Sequence, residues 1–157
     1  MGNKCTRKKK PHLSPDTALR KAVHDRNVSE VKQLLPKIEN INARPDDDPD
    51  KDTYLMICAR THSDGEIAQL LVEAGADFTL TGHNGQTAFH MACRDQDAHA
   101  EVLETLLKLA GRPGACDAAY LDVKNAKGNT ALYEAQEVHN SPRCALLLRD
   151  AGAHVRV

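Results

Sequence analysis

Four short segments of this chain line up on one threonine each: TALRKA at 17–22, TYLMIC at 53–58, TAFHMA at 87–92 and TALYEA at 130–135. The threonines fall 36, 34 and 43 residues apart, and self-similarity at that period predicts a stacked array rather than one closed core. In every segment an apolar residue stands two places after the threonine and a small one five places after it. Leu19 with Ala22, Leu55 with Cys58, Phe89 with Ala92 and Leu132 with Ala135 therefore share one side of a short helix. The small residue lets a neighbouring helix approach closely.

A second apolar stretch follows each segment after a polar break: VSEVKQLL, DGEIAQLLVEAG, a longer run over 98–110, and SPRCALLLRDAG. Ser29 and Asp64 are placed to accept hydrogen bonds from free amides at helix starts, and Ser141 before Pro142 suits a cap and first turn. Gly75 and Gly152 fit the left-handed residue that closes a helix. The stretches 82–86 and 125–129 read as turns with glycine at their tips. The expected fold class is all-α: a solenoid of stacked helix-turn-helix units with protruding turns, each unit covering the apolar face of the next.

TAFHMA preceded by HNGQ, with LLVEAGAD one unit earlier, resembles the ankyrin repeat, whose signature is a turn glycine, then Thr-Pro-Leu-His-x-Ala, and later Leu-Leu-x-x-Gly-Ala. The resemblance covers 16–157, as units of approximately 16–45, 46–81, 82–125 and 126–157 behind a tail and linker at 1–15. Gly85, Thr87, Phe89, His90 and Ala92 fall in register in the third unit, and Gly128, Thr130, Leu132, Ala135, Gly152 and Ala153 in the fourth. The second unit has Lys51 where the turn glycine belongs. The first lacks the Gly-Ala ending and has Pro36 after Leu35, as a capping unit would. The motif proline is replaced by Ala18, Tyr54, Ala88 and Ala131. The stretch GRPGACDAAYLDVKN lengthens the third unit and is expected as a surface loop around 112–118.

The resemblance implies recognition of a protein through the turn tips and the ends of the first helices. Carried over by position, the contact residues are His24 and Asp25 in the first unit and Asp50, Asp52, Arg60 and Thr61 in the second. In the third they are His83, Asn84, Gln86, Arg94 and Asp95, and in the fourth Lys127, Asn129, Glu137 and Val138. As a set they suggest an acidic face of mixed polarity and a partner with a basic surface. A monomer is expected.

Charge divides along the chain. The first ten residues hold Lys4, Arg7, Lys8, Lys9 and Lys10 and no acid, leaving 16 Lys and Arg against 22 Asp and Glu in the rest, so a +5 tail precedes a −6 body. Pro11 and Pro15 read as a linker kept out of a helix. MGNKCT matches the pattern for myristoylation of Gly2 once Met1 is removed. One such chain binds a bilayer with a constant of only ~10⁴ M⁻¹, so stable residence needs a second anchor. Cys5 is placed to carry a palmitoyl chain, and each basic residue adds about 1 kcal/mol near an anionic leaflet. The competing reading of 7–10 followed by Pro11 is a nuclear localisation run, and the plainest is an unmodified solvated tail.

Catalytic and metal chemistry find little support. Aromatic residues are 3% of the chain and Trp is absent, which argues against stacking platforms for single-stranded nucleic acid; the near-zero overall charge argues against a general nucleic-acid binder. No cysteine pair has metal-site spacing, and neither a metal nor another cofactor is expected. His90 and Cys93 lie three apart on a helix, yet a catalytic dyad also needs an orienting group and a cleft. The resemblance instead makes His90 a bridge between turns and Cys93 a core residue. The acidic run 46–52 lacks the glycine and closing glutamate of a Ca²⁺ loop and reads as a solvated turn tip. Asn27-Val28-Ser29 matches a glycosylation acceptor, though no signal segment or spanning run is evident and a cytosolic setting with reduced cysteines is expected. Two function classes follow: a lipid-anchored adaptor on the cytoplasmic face of a membrane, expected to be the plasma membrane, or a soluble or nuclear regulator that binds and inhibits an enzyme or transcription factor.

Overall fold

The computed structural model describes residues 13–45, 48–61, 65–94, 99–112 and 118–153. Among them are eight α-helices and no strand: α1 (Pro15–His24), α2 (Val28–Leu34), α3 (Tyr54–Arg60), α4 (Gly65–Glu73), α5 (Ala88–Ala92), α6 (Ala100–Ala110), α7 (Ala131–Tyr133) and α8 (Pro142–Asp150). The odd-numbered helices pack side by side as one row and the even-numbered helices as a second, with the two helices of each pair packed against one another. Residues two after each repeat threonine, Leu19, Leu55, Phe89 and Leu132, are all buried, as are the small residues Ala22, Cys58, Ala92 and Ala135. Each large apolar side chain so covered contributes about 1.5–3 kcal/mol. The spacing read from sequence is the spacing that builds the core.

Threonine earns its place at the helix starts through its hydroxyl. Thr53 Oγ1 accepts from the Met56 amide at 3.4 Å, and Thr130 Oγ1 accepts from the Tyr133 amide at 3.2 Å. The first unit works differently. Ser14 caps α1, accepting from Thr17 N–H at 3.2 Å, and Pro15 occupies the first turn, where its missing N–H costs nothing. Pro15 thus opens a helix instead of holding the junction out of one. Two other expected caps also move. Asn27 rather than Ser29 caps α2, accepting from Glu30 N–H at 3.1 Å. Ser141 precedes α8 but turns its hydroxyl to the Cys93 carbonyl at 3.2 Å, tying the fourth unit to the third. Asp64 lies outside the described residues.

The long third unit is partly internal. Ala118–Asp122 form a short 3₁₀ helix in which Tyr120 and Leu121 are buried, and the Tyr120 ring lies 5.0 Å from that of Phe89. Phe89 in turn stacks at 6.0 Å on Phe78. The surface loop expected around 112–118 lies mostly outside the described residues, and just after it the chain returns two residues to the core, Tyr120 against the buried Phe89 ring.

The fourth unit ends its first helix in an unusual way. After Tyr133 the chain widens into a π-helical turn, Glu134–Val138. His139 N–H bonds the Glu134 carbonyl at 2.9 Å, and Ser141 N–H bonds the Ala135 carbonyl at 2.7 Å. The matching carbonyl in the third unit, that of Ala92, is met by the Cys144 thiol of the fourth at 3.8 Å. Tyr133, Val138 and Leu146 stand exposed near this end. No helix among the described residues is long and apolar enough to cross a membrane.

Candidate functional site

Turns and first helices are joined by three polar assemblies. In the second unit the guanidinium of Arg60, at the end of α3, gathers the acidic turn around itself. It bonds Asp50, reaches Asp48 Oδ1 at 3.2 Å and stands 3.5 Å from Asp52 Oδ2. Asp48 Oδ2 accepts the Asp52 amide at 2.8 Å. The run read as a solvated tip is therefore half interior: the Asp48 side chain is 1% exposed and that of Asp52 0%. The reason is Arg60, which brings a compensating charge that local sequence does not reveal. Lys51, in the turn-glycine position, takes φ +51°, alongside +69° at Gly85 and +80° at Gly128, so the turn shape survives without the glycine.

Asp52 is the least satisfied group of the three. Neither carboxylate oxygen completes a hydrogen bond among the described residues. Burial pushes its pKa up, Arg60 and the His83 backbone amide oppose that, and Asp48 and Asp50 reinforce it. The next turn presses on this carboxylate: a Cβ added at Gly82 would run into Asp52 Oδ1 and stand 2.9 Å from Met56 Sδ. Asp52 is thus a support beneath the face rather than a contact residue upon it.

In the third unit His90 bridges two units. Its Nδ1 accepts the Thr87 amide at 3.2 Å and lies 2.8 Å from Thr87 Oγ1, while Nε2 meets the Asn129 carbonyl at 3.0 Å. A nitrogen that accepts an N–H carries no proton, so the ring is neutral with its proton on Nε2. Burial lowers its pKa, against the Asn129 carbonyl and Glu134, which favour the charged form. Cys93 beside it is fully buried.

The third assembly centres on Asn125 and Glu134, both buried and both missed by the sequence reading. Asn125 Nδ2 donates to Glu134 Oε1 at 2.6 Å, and its Oδ1 accepts the amides of Lys127 and Asn129 at 3.0 and 3.1 Å. Gln86 Nε2 donates to Glu134 Oε2 at 3.4 Å, and Asn84 C=O accepts Ala126 N–H at 2.7 Å. Successive turns are thereby bonded to one another. The visible signal was an acid in the first helix, four places after Thr130, where the other units carry Lys21, Ile57 and Met91.

Across these turns runs a cavity of about 280 Å³ lined by Asp50, His83, Asn84, Gln86, Met91, Arg94, Asn125 and Lys127. Six of these were expected contact residues; Met91 and Asn125 were not. The other expected positions do not line it. His24 and Asp25 are exposed at the end of α1 and pair with each other at 3.2 Å. Arg60 is spent on the acidic turn, and Thr61 Oγ1 donates to the Ile57 carbonyl at 2.8 Å. Asn129 is half-buried, whereas Glu137 and Val138 are exposed on the π-helical turn. Asp95, Gly2, Lys4, Cys5, Arg7, Lys8, Lys9 and Lys10 lie outside the described residues.

Turn glycines in register, a threonine-histidine bridge between units and a ridge of bonded turns define one repeat architecture. The family model described as ankyrin repeats, in 3 copies, matches residues 2–82 and 55–157. The chain belongs to the ankyrin-repeat family. SH3 and multiple ankyrin repeat domains protein 2 of Homo sapiens is 29% identical over 127 residues, which are 80% of this chain and 6% of that protein. B-cell lymphoma 3 protein homolog of Mus musculus is 32% identical over 142 residues, 89% of this chain and 30% of that protein. The chain thus spans a minor part of either relative. As an ankyrin-repeat array it is a protein–protein interaction module, and the cavity across its turns is the candidate face.

Proposed function

We propose that this ankyrin-repeat chain is a non-catalytic adaptor, held on the cytoplasmic face of a membrane by its N-terminus and recruiting a protein through the turn face of its repeats. The observation that carries the recruiting half is the cavity across three turns, whose polar lining is held ready by Asn125, Glu134 and His90. Preorganised groups cost less to order on binding. The tethering half rests on MGNKCTRKKK, in which an acylation motif, a thiol and five basic residues coincide. Two acyl chains with a basic run give lasting attachment where one myristoyl chain does not. The −6 body is repelled by the leaflet that attracts the tail, which turns the array towards solution.

Fractionation of cells expressing the full chain with a C-terminal tag tests the tether. Gly2→Ala is expected to move the protein from the membrane to the soluble fraction, and Cys5→Ser to leave only transient attachment. A wild type that is soluble or nuclear and takes up no myristate analogue would favour the soluble or nuclear regulator instead. Affinity capture with Arg94→Glu and Glu137→Lys tests the face; capture unchanged by either reversal removes it.

A further inference from the structure

The cavity across the turns differs in sign from the array that surrounds it. Its one acidic lining residue, Asp50, is already bonded to Arg60. Glu134 beneath the floor is 3% exposed and accepts from Asn125 and Gln86. Among the described residues the cations are not spent in this way. Arg94 is exposed, and the contact its guanidinium makes among the described residues is a 3.9 Å approach to the Met91 sulfur. The exposed side chains of Lys127 and His83 have no hydrogen bond or ion pair among the described residues. What the cavity has left to offer a guest is donors.

We infer that this cavity seats an acidic side chain, Asp or Glu, from a segment of a partner protein, between the Arg94 guanidinium and the Lys127 ammonium. A planar guanidinium matches a carboxylate in a two-point fork, and Lys127 adds a mobile point charge. The Asn84 side chain on the rim supplies a further donor. A lysine or arginine guest would meet two cations with the nearby carboxylates already engaged. The array's −6 charge does not reverse this, because exposed charges beyond about 8 Å are screened at physiological ionic strength. The inference deepens the proposed adaptor function and rests on the turn face being the binding face. It gives that face a preference opposite to the one its summed charge suggests.

The test is a nuclear magnetic resonance titration of the full ¹⁵N-labelled chain with two capped peptides. One has three glutamates flanked by glycine and serine, and the other has lysines in their place. The glutamate peptide is expected to shift the Asn84 and Lys127 amides and the Arg94 Nε–H, and to bind about tenfold more weakly to Arg94→Glu or Lys127→Glu. Lys21→Glu, the same charge change on the exposed side of α1, is expected to leave that affinity within about twofold. Equal weakening by Lys21→Glu would show diffuse attraction and overturn the site. Shifts of the same resonances by the lysine peptide would overturn the sign while leaving the face intact. Silence from both peptides would overturn the inference and the turn face together.

Discussion

His90→Ala separates a structural bridge from a decorative one. In the folded chain the ring accepts the Thr87 amide and donates to the Asn129 carbonyl, at 3.2 and 3.0 Å, from a position 1% exposed. Removing it leaves the buried Thr87 amide without its acceptor, about 1–3 kcal/mol, frees the half-buried Asn129 carbonyl at less cost, and opens a cavity at the junction of two units. The expected loss is about 3–5 kcal/mol, or roughly 6–20 °C in midpoint for a chain of this size. Denaturant unfolding followed by circular dichroism measures it. The pH dependence adds a sign. The folded-state pKa of His90 is lowered from 6.5, so below that value the unfolded chain binds the proton first and the wild type loses stability as pH falls. The slope approaches about 1.4 kcal/mol per pH unit until the folded-state pKa is passed. The alanine variant lacks this loss, so the gap between the two proteins should narrow on acidification. A deficit under about 1 kcal/mol, or a gap unchanged between about pH 7.5 and pH 5, would refute the bridge.

Asp52→Asn is expected to stabilise the chain near neutral pH, because burial of the carboxylate outweighs its attraction to Arg60 and raises its pKa. The raised folded-state pKa means that Asp52 favours folding least at high pH: its contribution falls as pH rises from 3.8 through the folded value, and urea midpoints of the variant should lose that slope. Lys51→Gly relieves a left-handed backbone at φ +51° and should gain about 0.5–1 kcal/mol after glycine's extra unfolded entropy, read from the same midpoints.

What could be read from the sequence was what repeats. The threonine register, the apolar residue two places on and the small residue five places on marked the row of first helices and its buried side, and the apolar stretch after each segment marked the second row. What could not be read was what meets across units. Asp48 and Asp52 look like solvent-facing acids until Arg60 arrives from the far end of α3. Ser141 looks like a cap until the Cys93 carbonyl stands within reach of its hydroxyl. Tyr120 looks like a loop residue until Phe89 lies beside it. The site behaved the same way. Register brought together six residues that line one cavity, whereas summing charges over the face hid which of them were already neutralised, and only pairing distances separate Asp50 from Arg94.

The π-helical turn bears on how interchangeable the units are. An inner unit such as the third lends its Ala92 and Cys93 carbonyls to its successor, so a copy inserted there would find attachment points waiting. The fourth unit closes the Ala135 carbonyl, the counterpart of that of Ala92, on its own Ser141. Anything laid against it, whether a grafted repeat or a helix of another protein, gains contact with Tyr133 and Leu146 but not the Ala135 anchor. The array is modular in its middle and directional at this end, and an engineer lengthening it would first have to rewind one turn.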